Sequence, residues 1–275
     1  MINDQFIPRS VNYISGKTRL FAIVGNPITQ VRSPEFITYE LVARGLDAIV
    51  LPLHLTPDRF DALFPAMMAI ENLDGLIITV PYKGRATPFM DRLGPQAEVT
   101  RTVSVLSKRR DGWIGEMFDG LGCVSALQRR GVSIAGGRIL LLGAGGAGSA
   151  IAVALASQAP RSLRIVDPDG ARAAASAQTI RQAFPDLDVA TADPQLDLND
   201  TDIVINASPV GMLNGEACPL QMASLPSHLT VMDIVMKPDD TRLLSMAAAA
   251  GCTVVYGREM LGSQASAVVD FLTTA

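Results

Sequence analysis

Short apolar runs alternate along this chain with segments whose apolar residues recur every third or fourth position. Leu20-Phe-Ala-Ile-Val24, Ala48-Ile-Val-Leu-Pro-Leu53 and Gly75-Leu-Ile-Ile-Thr-Val80 read as buried strands, with Pro52 better suited to an edge than a centre. Ser33-Pro34 reads as N-cap and first position of a helix reaching Ala43. Phe60, Leu63, Phe64, Met67 and Met68 have a helical period within Pro57 to Glu71, and the methionines there read as core filler. Val103–Leu106 and Trp113-Ile114, joined through Arg110-Asp-Gly112, predict a hairpin with an Asp-Gly turn. A helix from Asp119 to Arg130 follows. Further strands are expected at Arg138–Leu142, Leu163–Val166, Leu187–Ala190, Ile203–Ile205, Thr230–Asp233 and Thr253–Val255, with helices between. Met260 to Thr274 is an amphipathic helix, and the first sixteen residues read as a polar arm.

This alternation predicts an α/β protein. Residues 120–255 make a doubly wound parallel sheet of Rossmann type. Residues 1–119 make an N-terminal mixed α/β domain, to which the C-terminal segment 256–275 returns with its helix. The segment Gly143-Ala-Gly-Gly-Ala-Gly148 directly follows one strand and opens a small-residue helix. Closely spaced glycines let the backbone turn and approach a pyrophosphate, while the helix N-terminus offers N–H groups. Asp167 ends the next strand nineteen residues after Gly148, the spacing expected of a partner for the adenosine ribose. The same pattern without a ligand is a tight strand–helix turn.

Composition narrows the function without deciding it. A formal charge of −4 argues against a polyanionic partner such as nucleic acid. No apolar run reaches the roughly 18–20 residues of a spanning helix, and no secretory signal opens the chain, so no membrane partner and a cytoplasmic location are expected. Cys123, Cys218 and Cys252 are few and far apart, and with His54 and His228 they show no metal-ligand spacing. Composition leaves monomer and homodimer both open.

In such sheets ligands sit beyond the strand carboxyl ends. Four loops qualify: Gly25–Ser33, Thr79–Lys83, Gly115–Gly120 and Asn206–Met212. Their order resembles the shikimate/quinate dehydrogenases. The family's Gly-Asn-Pro turn and Ser-Pro are matched by Gly25-Asn26-Pro27 and Ser33-Pro34, and its Asn-Val-Thr-x-Pro-x-Lys by Ile77-Ile78-Thr79-Val80-Pro81-Tyr82-Lys83. Met117-Phe118-Asp119-Gly120 matches its Asn-Thr-Asp-Gly in part. Asn206-Ala-Ser-Pro-Val-Gly-Met212, Asp233 to Pro238 with Thr241, and Met260-Leu-Gly-Ser-Gln264 complete the collinear set.

The resemblance implies an oxidoreductase that moves a hydride between a nicotinamide dinucleotide and a hydroxylated ring acid such as shikimate or quinate. Lys83 and Asp119 match the family's catalytic lysine and aspartate. Ser33, Thr79, Ser104 and Gln264 match its substrate contacts. Gly143, Gly145, Gly146, Ala147, Gly148, Asp167, Asn206, Ser208 and Met212 form the expected cofactor set. Taken singly, Lys83 reads equally as a solvated lysine in a first helical turn and Asp119 as a helix cap. The pattern also departs from the family. A first-loop serine is replaced by Val31, the asparagine before Val-Thr by Ile77, a substrate-facing asparagine by Ser104, Asn-Thr by Met117-Phe118, and a tyrosine by Met236. A less polar ring acid, with Arg32 or Thr29 sharing the carboxylate contact, and weak binding of shikimate both fit these losses.

For the cofactor, Asp167-Pro168-Asp169 stands where NADP-using members carry an arginine, which points to NAD. Arg172, one turn into the next helix, keeps NADP possible. A dinucleotide-responsive binding protein with a decayed pocket, and a different dehydrogenase of similar architecture, are the alternatives.

Overall fold

The structure is a computed structural model and describes residues 14–193, 197–214, 216–222 and 224–274. Most of the expected polar arm, residues 1–13, lies outside the described residues. Contacts divide the chain into two units, Met1–Phe118 with Ala265–Ala275, and Asp119–Gln264.

The first unit runs β1 (Arg19–Gly25), α1 (Ser33–Ala43), β2 (Ala48–His54), α2 (Phe60–Met68), β3 (Leu73–Ile78), α3 (Lys83–Ala86), β4 (Arg92–Leu93), α4 (Pro95–Thr100), β5 (Val105–Arg109) and β6 (Gly112–Glu116). Its sheet is ordered β2-β1-β3-β5-β6-β4. β1 pairs parallel with β2 and β3, whereas β3–β5 and β5–β6 are antiparallel. β2 lies at an edge, where Pro52 breaks no central ladder. One face of the sheet buries Phe21, Ile23, Ile77 and Val105 with Ile37, Leu41, Val268 and Leu272. On another part of the unit, Phe60 stacks between Phe64 and Tyr82, with ring centroids 4.6 and 4.3 Å away. In the hairpin Arg109 faces Gly112, so the two-residue turn is Arg110-Asp111 and Gly112 carries the positive φ of 118° just after it. Ser33 is the first helical residue of α1 and not its cap: Arg32 holds the cap position, and its carbonyl accepts from Glu35 and Phe36.

The second unit runs α5 (Asp119–Arg129), β7 (Arg138–Leu142), α6 (Gly146–Ala156), β8 (Ser162–Val166), α7 (Gly170–Ala183), β9 (Asp188–Thr191), β10 (Ile203–Asn206), β11 (Thr230–Asp233), α8 (Arg242–Ala249), β12 (Thr253–Tyr256) and α9 (Gly257–Thr273). All neighbours in the order β12-β11-β10-β7-β8-β9 are parallel. Such strands are covered on both faces and read as unbroken apolar runs. Ile139, Leu141, Ile151 and Ile165 pack in one cluster; Leu140, Leu142, Val204 and Leu243 pack in another. The chain order reverses between β7 and β10, which is the topological switch point of the sheet. α9 starts among the residues of this unit and ends among those of the first, with the division after Gln264.

Candidate functional site

The glycine segment lies at the switch point, between the end of β7 and the start of α6. Gly143 has φ +103°, and a Cβ there would stand 2.8 Å from the Ser208 nitrogen. A Cβ on Gly148 would stand 2.0 Å from the Gly143 carbonyl oxygen. Turn geometry and close packing therefore demand these two glycines. α6 begins at Gly146 behind Gly145, which has no side chain to cap the helix. No cap side chain accepts from its first-turn N–H groups, which are open to an external acceptor. Open space lies over Gly145, where a Cβ would meet nothing within 4 Å. These features fit a dinucleotide pyrophosphate.

Asp167 follows β8 with its side chain only 6 % exposed. It accepts from the Ala144 N–H at 2.8 Å and the Asp169 N–H at 2.9 Å, and pairs with the Arg172 guanidinium at 3.1 Å. Asp169 caps α7 through the N–H groups of Ala171 and Arg172 and also pairs with Arg172, at 3.2 Å. One guanidinium therefore lies between two carboxylates. Asp167 offers about four lone-pair directions, so one remains for a further donor.

On the other side of the switch point, the loop after β10 is tied from beneath. Asn206 is fully buried, donates to Asp233 at 3.0 Å and to the Val210 carbonyl at 3.1 Å, and accepts from Ser208 through both its N–H and its hydroxyl. Both ends of its amide are occupied within the protein. Ser208 and Met212 are half-buried in the loop itself.

Within the first unit, Thr79 follows β3 and shares the Ile77 side of the strand by alternation. Its carbonyl accepts from Tyr82, closing the turn that delivers Lys83 as the first residue of α3. Tyr82 was missed as an anchor in the sequence. It is fully buried, stacks on Phe60 and donates to the Leu55 carbonyl, and its burial pushes the hydroxyl pKa up. The aromatic Tyr82 beside Lys83 was the available signal. Lys83 and Ser33 are half-buried. At the neighbouring turn, Asn26 meets His54 at 2.7 Å.

Ser104 is buried, and its hydroxyl accepts the Phe118 N–H at 2.8 Å. Val31, Ile77 and Phe118 all belong to one apolar cluster, in which Phe118 meets Phe271 edge-on. The departures from the family pattern on this side are therefore packed together.

In the second unit, Asp119 is buried at the start of α5. Gln264 carries a buried Oε1 with no hydrogen-bond partner among the described residues, and a Cβ on Gly122 would lie 2.9 Å from it. A buried acceptor left open in this way suits a hydroxyl donor. Cys123 is buried, which pushes its thiol well up, away from nucleophilic use. Among the described residues no group of three or more His, Cys, Asp or Glu is placed to hold a metal, and no helix is long and apolar enough to cross a membrane.

Residues 23–106 match the shikimate dehydrogenase substrate binding domain. The shikimate dehydrogenase (NADP(+)) of Anaeromyxobacter sp. strain K is 35% identical over 254 residues, which cover 91% of this chain and 89% of that protein. The chain belongs to the shikimate dehydrogenase family. The fold agrees. Shikimate 5-dehydrogenase from Listeria monocytogenes, solved in complex with shikimate and NAD, superposes with a TM-score of 0.82 at 27% identity, covering 94% of this chain and 93% of that one. The 5-ketofructose reductase of Gluconobacter sp. strain CHM43 gives 0.80 at 27% identity over 94% of both chains. The family pattern quoted from the loops is thus accompanied by likeness along nearly the whole chain.

Proposed function

We propose that this protein is a nicotinamide-dinucleotide-dependent dehydrogenase acting on a secondary hydroxyl of a ring acid of the shikimate or quinate type, with NAD preferred. The observation that carries the reading is the uncapped start of α6 at the switch point, flanked by Asp167 on the β8 side. The shikimate and NAD bound to the Listeria neighbour, and the family membership, support the substrate class. When bound, the dinucleotide supplies the two-electron acceptor.

The chain's own residues supply binding and proton handling. Lys83 takes the alcohol proton at Nζ or stabilises charge on the substrate oxygen, and Asp119 orients the hydroxyl. Ser33, Thr79 and Gln264 bind the substrate, with the open Gln264 Oε1 accepting from a hydroxyl. Ser104 contributes through the Phe118 backbone it holds. Gly143, Gly145, Gly146, Ala147 and Gly148 hold the pyrophosphate, Asp167 accepts from the adenosine ribose, and the loop carrying Ser208 and Met212 borders the nicotinamide. The first unit serves as the substrate domain and the second as the dinucleotide domain.

Initial rates with shikimate, quinate and 5-ketofructose, each against both cofactors in the appropriate direction, test this reading. Turnover of a ring acid with NAD is expected. Tight NAD binding without turnover of any ring acid would sink it and favour a sensor. Turnover of 5-ketofructose alone would move the substrate to a ketosugar.

A further inference from the structure

The C-terminal ends of β7, β10 and β11 lie in register, with Asn206 beside Leu142 on one side and Asp233 on the other. Apolar Leu142 is unremarkable there. The other two are polar and completely buried, and Thr241, just before α8, is 1 % exposed. Burying such groups is costly unless every donor and acceptor is matched.

Here they are matched. Asp233 Oδ1 accepts from Asn206 at 3.0 Å and from the Val235 N–H at 3.0 Å, and its Oδ2 accepts from the Thr241 hydroxyl at 2.7 Å. Thr241 Oγ1 in turn accepts the Leu244 N–H at 3.3 Å and so caps α8. From Asn206 the network continues upward into the Ser208 N–H and hydroxyl and the Val210 carbonyl, and Ser208 Oγ accepts the Val210 N–H at 3.2 Å. The loop so held also presses on the glycine segment, since Gly143 has room for no Cβ against Ala207 and Ser208. Burial raises the Asp233 pKa, against the hydrogen bonds that lower it.

Topology says which part of the ligand this loop borders. A dinucleotide crosses the sheet at the switch point between β7 and β10. Its adenosine half belongs over β8, where Asp167 stands, so its nicotinamide half lies over β10 and β11.

We propose that Asn206, Asp233 and Thr241 are positioning residues that hold loop 207–212 as the support for the nicotinamide ring. The inference rests on the dehydrogenase reading above. None of the three touches the cofactor; each acts through the loop. Adenosine and pyrophosphate binding use Asp167 and the N-terminus of α6, to which none of the three residues is hydrogen-bonded.

The test uses the full-length enzyme with NAD and shikimate, or the ring acid it turns over best. Asp233→Asn keeps the shape of the side chain and removes one acceptor. Thr241→Val removes the hydroxyl, and Thr241→Ser restores it. Both disruptive variants are expected to keep the NAD Kd, measured without substrate, within about threefold of wild type, and to lose about tenfold or more in kcat. Thr241→Ser is expected to return kcat to within about threefold of wild type. Unchanged kcat per folded enzyme beside a lowered Tm would reduce the network to a brace and overturn the proposal. A rise in Kd that accounts for the whole loss of activity, or a Thr241→Ser variant as slow as Thr241→Val, would overturn it too. If Asp233→Asn fails to fold, the Thr241 pair decides alone. Absence of turnover by wild type itself is a separate outcome, which counts against the dehydrogenase reading on which this one stands.

Discussion

Asp167→Asn is the sharpest test of cofactor choice, because it removes a charge while keeping the shape of the side chain. In the wild type, Arg172 is held between Asp167 and Asp169 at 3.1 and 3.2 Å, so the turn after β8 carries two carboxylates and one guanidinium. A ribose hydroxyl can donate to the remaining lone pair of Asp167, and a hydrogen bond to a charged group contributes about 1.5–3 kcal/mol. Losing it should lower kcat/KM for NAD by about 10- to 150-fold, at 1.4 kcal/mol per factor of ten. For NADP the sign reverses. A unit charge about 4 Å from another interacts by about 1 kcal/mol in water and about 4 kcal/mol near a protein surface. At this half-exposed turn, removing the repulsion and loosening Arg172 is expected to raise kcat/KM for NADP by about 5- to 30-fold. The ratio of the two should shift by at least about 50-fold toward NADP, from the lower ends of both ranges. Initial rates at saturating ring acid, followed at the reduced-nicotinamide absorbance band, measure it. The NADP gain should shrink on raising the salt to the extent that it comes from the loosened Arg172, whose side chain is 56 % exposed. A wild type that prefers NADP, or a ratio that moves less than about fivefold, would refute the reasoning.

Further outcomes follow from other parts of the structure. Lys83→Ala is expected to lower kcat by about 10²–10⁴-fold; turnover within a few-fold of wild type rules out the assigned role. Gly148→Ala drives a methyl to 2.0 Å from the Gly143 carbonyl; overpacking of this kind costs about 1–3 kcal/mol and should weaken NAD binding in a calorimetric titration. Ser104→Ala strands the buried Phe118 N–H, a loss of about 1–3 kcal/mol visible in denaturant unfolding. On the acid side, the hydrogen bond from Arg138 holds Asp202 below its ordinary 3.8. Stability from that pair is present above the unfolded-state pKa and lost as pH falls through the folded one. Asp202→Asn should therefore flatten the fall in Tm between neutral pH and about pH 3, and an unchanged slope would show that the pair contributes nothing.

Most of the element pattern is legible along the chain because parallel strands buried on both faces announce themselves as apolar runs. β7, β8, β10 and β11 appear close to their expected places for that reason. Boundaries were less legible. Helix α2 covers only Phe60–Met68 of the longer periodic stretch, and Ser33 enters α1 as a helical residue. Those limits depend on which backbone groups find partners, which spacing does not reveal. For the candidate site, residue types were readable and their commitments were not. Asn206 and Ser104 have the chemistry of ligand contacts, yet the structure engages Asn206 with Asp233 and its own loop, and Ser104 with Phe118.

The sequence by itself determined the α/β alternation, the glycine segment with its following helix, and the carboxylate nineteen residues beyond it. These are local matters of period, turn geometry and spacing along one chain. Only the tertiary structure decided that Asp167 reaches back to Ala144 and that Val31, Ile77 and Phe118 pack as one apolar cluster. The reason is physical: hydrogen bonds, ion pairs and packing depend on distances between residues remote in sequence, and the order of strands sets those distances.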